Sequence, residues 1–116
     1  MLIFFSSKSE KRSYPLMTKD ADKLLCCLYR EYLQRIQSGN SKTASANFTI
    51  KYTCETIMPL LHPDDVAALR NELKRLNFVV VSISGNFRLT DNAVIYMENR
   101  FKNNIIKLTD FISKFL

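Results

Sequence analysis

Lys74 and Arg75 follow Asn71 by three and four positions in ALRNELKR, a spacing that brings an amide and two cations onto adjoining turns of one helix face. An amide so placed can read a base edge in a DNA major groove, whose width admits a helix, and the two cations can neutralise phosphates. Ala67 and Ala68, one turn earlier, permit close approach. Asn86 and Arg88, further along in GNFR, stand where a hairpin tip could reach phosphate backbone or the minor groove. Asp64 shares the supposed reading face and Asp65 borders it, and carboxylates there repel phosphate. Other chemistry has less to stand on. His62 is the chain's single histidine, CxxC and CxxxH spacings for zinc are absent, and there is no Walker-type loop, GxGxxG or GxSxG. The reading is a non-enzyme with no cofactor, no metal and no evident small-molecule ligand.

The elements that must position these residues lie in LHPDDVAALRNELKRLNFVVVSISGNFRLTD, residues 61–91. Val66, Leu69, Leu73 and Leu76 recur at helical spacing, so one stripe faces a core while Asp64, Ala67, Ala68, Asn71, Lys74 and Arg75 fall opposite. Pro63 suits the first helical position, Asp64 and Asp65 complement the positive end of the helix dipole, and Lys74 and Arg75 complement the negative end. His62, directly before the helix, reads as a cap or packing residue. Residues 78–84 are β-branched and aromatic, Gly85-Asn86 is a hairpin-type dipeptide, and Phe87–Leu89 can return as a second strand. Thr90 can cap the next helix, with Asp91 in its first turn.

A chain of 116 residues, 47% hydrophobic and 24% charged, fits one domain able to bury a core without staples. Its apolar runs are too short to span a bilayer, Met1–Phe5 lacks the basic region of a signal peptide, and a soluble cytoplasmic protein is expected. Cys26, Cys27 and Cys54 make an odd count, which suits free thiols in a reducing compartment; redox sensing by Cys26 or Cys27 is the alternative. The formal charge of +6, from 17 basic and 11 acidic residues, favours a polyanion without demanding one. Setting aside Lys8, Glu10, Lys11 and Arg12 of the N-terminal arm leaves 14 basic and 10 acidic residues, a balance of +4.

Residues 1–16 carry no period beyond LIFF and read as a flexible arm, which could also lie in a minor groove through Lys8, Lys11 and Arg12. Thr18 can cap a first helix with an apolar stripe of Ala21, Leu24, Leu25, Leu28, Tyr32 and Ile36, ended at Ser38-Gly39-Asn40. Residues 38–47 read as a loop and Phe48–Tyr52, which alternates apolar and polar, as a short strand. Residues 53–61 are interrupted by Pro59, so a second helix there is either short, ending near Met58, or displaced. Beyond the hairpin, Val94, Met97, Phe101, Ile105, Leu108, Ile112 and Phe115 keep one face apolar for roughly 36 Å at 1.5 Å per residue. A core of this size cannot cover that length. The distal stripe, with Phe111 beside it, is expected to pair with a second copy as a homodimer; the alternative is a bend near Asn103-Asn104 and packing within the monomer.

Helix, hairpin, helix in this order resembles the back half of a winged helix-turn-helix domain. ALRNELKRLNFVVV, SGN and FRLTDNAVIYME stand where that family has its recognition helix, wing and next helix. The overall size, the LTD entry to the last helix and the apolar tail look most like the small prophage-type YjcQ-like proteins. The expected fold is therefore mainly α with a small β-sheet (α+β), a winged helix over residues 17–99 with a long C-terminal helix over residues 100–116. The resemblance implies a DNA-binding regulator of bacterial or phage type, with double-stranded DNA met by Ala67, Asn71, Lys74, Arg75, Asn86 and Arg88. Dimerisation would use Phe101, Ile105, Leu108, Phe111, Ile112 and Phe115. The competing class is a non-catalytic protein-interaction or assembly module on the same scaffold.

Overall fold

A computed structural model of the chain describes residues 16–102 and 104–114. Its spine is α1 (Lys19–Gln37), which starts because the Thr18 side chain accepts a hydrogen bond from the Ala21 amide and ends because Gly39 takes φ +101°. The Gly39 amide then donates to the Ile36 carbonyl and the Asn40 amide to that of Arg35, which satisfies carbonyls the helix leaves open. All six residues from Leu24 to Tyr29 are buried, more than the stripe of Ala21, Leu24, Leu25, Leu28 and Tyr32 requires. A helix apolar around its whole circumference needs neighbours on every side. Here α2 (Lys42–Ser45), α4 (Pro63–Arg75), α5 (Asp91–Phe101) and α6 (Ile105–Ser113) supply them.

Most of the chain is helical, with a three-stranded antiparallel sheet in the order β1-β3-β2. The strands are β1 (Asn47–Phe48), β2 (Val79–Val81) and β3 (Phe87–Leu89). Phe48 opposes Phe87 and Val79 opposes Leu89, all four buried, while Asn47, Val80 and Arg88 form one exposed cross-strand row. The period of two thus gives the sheet one core face and one open face.

Three expectations need correction. Residues 38–47 are not all loop, since α2 (Lys42–Ser45) forms after Ser41, whose hydroxyl oxygen accepts from the Ala44 amide. Residues 48–52 are not one strand. Pairing stops after Phe48 because the Thr49 side chain caps α3 (Ile50–Tyr52), and the Asn86 Oδ1 accepts from the Ile50 amide. This helix widens into a π-helical turn over Thr53–Ile57, closed by the Met58 amide donating to the Thr53 carbonyl at 2.8 Å. Met58 leaves helical geometry directly before Pro59, whose ring disfavours it. The C-terminal helix is also not continuous. Helix α5 (Asp91–Phe101) ends at Lys102, which takes φ +54°, and Asn104 caps a separate α6 (Ile105–Ser113) by accepting from the Lys107 amide.

The fold-back places Leu108 and Ile112 in the core against α1, and Phe101 is buried with them. Ile105 and Phe111 are half-buried, and the Phe111 ring lies 5.5 Å from that of Phe101. The stripe assigned to a second copy is thus largely covered by the chain's own α1 and α5; Phe115 lies outside the described residues. So do residues 1–15 of the arm, while Leu16 is exposed and α1 begins three residues later.

The hairpin between β2 and β3 turns at Gly85, whose φ is +91° and whose added Cβ would meet the Arg70 Nη1 at 3.2 Å. Gly85→Ala is expected to cost about 1–2 kcal/mol in urea denaturation, from left-handed strain plus displacement of Arg70. Gly39→Ala, with nothing within 4 Å of the new Cβ, pays only the first part and should cost less.

Candidate nucleic-acid interface

Helix α4 (Pro63–Arg75) starts as its sequence implies. The His62 Nδ1 accepts from the Asp64 amide at 3.0 Å, and Pro63 stands where no amide hydrogen is needed. Its end is set by Asn77 at φ +65°, with the Asn77 amide donating to the Lys74 carbonyl and the Phe78 amide to that of Leu73. Val66 and Leu73 are fully buried and Leu69 and Leu76 half-buried, so the apolar stripe faces the core. Asp64, Ala68, Asn71, Lys74 and Arg75 are exposed on the other side, and Ala67 lies half-buried at the border.

Arg70, which the sequence did not single out, governs how this face meets the hairpin. Its Nη1 donates to the Gly85 carbonyl at 2.9 Å, while Nε and Nη2 donate to the Asn71 Oδ1 at 3.2 and 3.1 Å. The hairpin is therefore held to α4 by one guanidinium. Asn71 is altered as a reader: pairing with adenine uses the amide oxygen as well as the nitrogen, and that oxygen is already engaged. Asn86 is not a tip residue. It is half-buried, with Oδ1 taken by the Ile50 amide and its carbonyl by the Ser82 amide. The tip is Ile83-Ser84, with Ile83 wholly exposed.

Comparison with protein-family models, curated proteins and solved structures returns no match.

The structure leaves Lys74 and Arg75 together and open at the C-terminal end of α4, and Arg88 open on the outer sheet face between Val80 and Asn47. It separates them from the opposing carboxylates along the helix. Asp64 precedes Lys74 by ten positions, about 15 Å of rise, which exceeds the screening length of about 8 Å at physiological salt. A phosphate at the C-terminal end of α4 therefore feels the cations far more than Asp64 or Asp65.

Glu72 also carried no signal in the sequence. Its carboxylate accepts from the Thr18 amide at 2.8 Å and from the Thr18 hydroxyl at 2.9 Å, tying the start of α1 to α4. Arg35 has a similar role on the other flank. It donates to the Asn47 carbonyl at 2.7 Å and to Glu31, and its guanidinium covers the Phe48 ring at 4.4 Å. Except for the Glu31–Arg35 pair, one helical turn apart, these contacts join positions too far apart in sequence for periodicity to show.

The cysteines fit a packing role. Cys26 and Cys27 are buried and Cys54 half-buried, all as free thiols. Burial pushes the Cys26 thiol up, with Asp22 adding to it, so the reactive thiolate is disfavoured. Among the described residues no cluster of His, Cys, Asp and Glu could hold a metal ion, and no helix is long and apolar enough to cross a membrane.

Proposed function

We propose that the chain is a small winged-helix protein that binds double-stranded DNA as a cytoplasmic regulator of bacterial or phage type. Supporting the winged helix is the element order: a helix pair, α3 and α4, lies between β1 and a β2-β3 hairpin, with β3 the middle strand. The observation that carries the DNA reading is the outer face of α4, which no other element covers among the described residues and which holds Ala68, Asn71, Lys74 and Arg75. Contact is centred on the C-terminal half of that helix, with Lys74 and Arg75 on phosphates and Arg88 reaching the backbone from the sheet. Asn71 serves by position rather than by bidentate base reading. Such a site is dominated by backbone electrostatics, so its affinity falls steeply with salt.

Fluorescence anisotropy of the full chain on random duplex DNA, between about 50 and about 200 mM salt, tests this. Lys74→Ala with Arg75→Ala is expected to flatten the slope of log affinity against log salt by about 2, close to one phosphate per side chain. An unchanged slope, or no binding of the parent at the lower salt, would sink the DNA reading.

The second reading, a non-catalytic interaction module, is favoured by one feature: Ile83 at the hairpin tip is fully exposed and Val80 on the open sheet face is half exposed. A homodimer is compatible with either function, although Phe101, Leu108 and Ile112 are buried within the chain. The exposed apolar residue that α6 offers is Ile106, 75% accessible.

A further inference from the structure

A concavity lies away from α4's outer face, between α1, residues 57–61 and α6, with a volume of about 400 Å³. That is within the usual range of small-molecule sites. Leu60, Leu61, Met58 and Ile112 contribute apolar wall, and Lys23, Cys27 and Arg30 contribute one stripe of α1 at spacings of four and three. Lys23 and Arg30 are half-buried, and neither has an ion pair or side-chain hydrogen bond among the described residues. Every other half-buried arginine described, Arg35, Arg70 and Arg100, is hydrogen-bonded.

We infer that this groove is a binding site for a small aliphatic carboxylate, its tail on Met58, Leu60, Leu61 and Ile112 and its head between Lys23 and Arg30. Charge complementarity selects the head. Seven residues separate the two cations, roughly 10 Å of helix rise, with Cys27 between them on the groove wall. Burial pushes the Cys27 thiol up while Arg30 and Lys23 pull it back, so both positive fields converge there. Asp20, exposed at one end of the same stripe, is the single carboxylate on the lining and biases the head toward the Cys27–Arg30 end. The apolar wall selects the tail, since each methylene removed from water adds to affinity. The site stands independently of whether α4 binds DNA.

The test titrates the full chain with octanoate, 1-octanol and octylamine at neutral pH, following backbone amide shifts of residues 57, 58, 60, 61 and 109–113 by NMR. Octanoate is expected to give saturable shifts there, and to bind roughly tenfold more tightly than 1-octanol and by a wider margin than octylammonium. Lys23→Gln with Arg30→Gln should remove that tenfold advantage and leave 1-octanol binding unchanged, which a merely unfolded variant could not do. Ser113→Trp, at an exposed position on the groove rim, should block both ligands while the melting transition is retained. Equal binding of octanoate and octylammonium, or no saturable shift with octanoate, would overturn the site. So would a concentration-dependent dimer, dispersed by Leu60→Glu, that excludes octanoate, because a second copy would then occupy the groove.

Discussion

Asp22→Ala is expected to lower the free energy of unfolding by about 3 kcal/mol. Asp22 on α1 and Arg100 on α5 form a bidentate pair, with Arg100 Nη1 and Nη2 donating at 2.6 and 2.9 Å across 78 positions of sequence. Both side chains are only 19% accessible, so screening by water is slight. Arg100 is further enclosed by rings, lying 4.6 Å from Phe111 and 5.0 Å from Phe101. Burial works against its charge, but hydrogen bonds and attraction from Asp22 more than offset this and raise its pKa. Removing Asp22 leaves a guanidinium that cannot lose its proton in a half-buried place with no anion. Arg100→Met should cost less, because it keeps apolar bulk under Phe111. Combining it with Asp22→Leu should recover much of the loss, since replacing both charges removes the desolvation penalty as well as the attraction. Urea denaturation of the parent, Asp22→Leu, Arg100→Met and the double variant closes the cycle. Additive losses in the double variant would show that the pair is not coupled.

The contacts that hold the fold differ in how far the sequence reveals them, and the reason is distance along the chain. Caps are local. Thr18 and Thr90 accept from amides three positions on and His62 from the amide two positions on, and all three helix starts follow from them. Periodicity is also local, which is why the buried stripes of α1 and α4 could be read directly. The short helices show where local signals conflict. Residues 48–52 alternate as a strand would, yet Ile50, Thr53, Cys54 and Ile57 follow a spacing of three, one and three, and all are buried or half-buried. The helical period was present. It was masked because two patterns overlap and Thr49 decides between them as a cap.

Arg70, Arg100, Glu72 and Asn86 belong to another category. Each looks like an ordinary solvated residue until the chain is folded, because its partner is supplied by tertiary structure: Gly85, Asp22, Thr18 and the Ile50 amide. Two of the proposed DNA contacts changed meaning for this reason. Asn71 and Asn86 are residue types suited to base reading, but a type does not reveal whether its oxygen is already accepting a hydrogen bond. Lys74 and Arg75 are exposed at the end of α4, with no hydrogen bond or ion pair of their side chains among the described residues. The ligand groove was invisible for the complementary reason, since its apolar and charged walls come from three separate segments.

Leu108→Ala is the second large effect, expected at about 3 kcal/mol, and it decides how the apolar C-terminal stripe is used. Leu108 is 0% exposed and sits with Ile112 on the face of α6 that packs against α1. Alone, a helix of nine residues would be marginal in water, so α6 depends on that packing for its order. Docking also protects α1, whose Leu24–Tyr29 run needs cover on every side. Loss of the leucine side chain should therefore destabilise the whole domain in one transition rather than merely fray its end. Ile106→Ala, on the open face of the same helix, should change stability by less than about 0.5 kcal/mol. The loss at Leu108 should also be independent of protein concentration, because its partners lie in the same chain. If Leu108 instead packed between two copies, the unfolding midpoint of the parent would rise with protein concentration and that dependence would vanish in Leu108→Ala. The break at Lys102 and the Asn104 cap favour the first outcome: a residue in the left-handed region followed by a fresh N-cap reverses the chain onto its own core, where an uninterrupted helix would carry the stripe away from it.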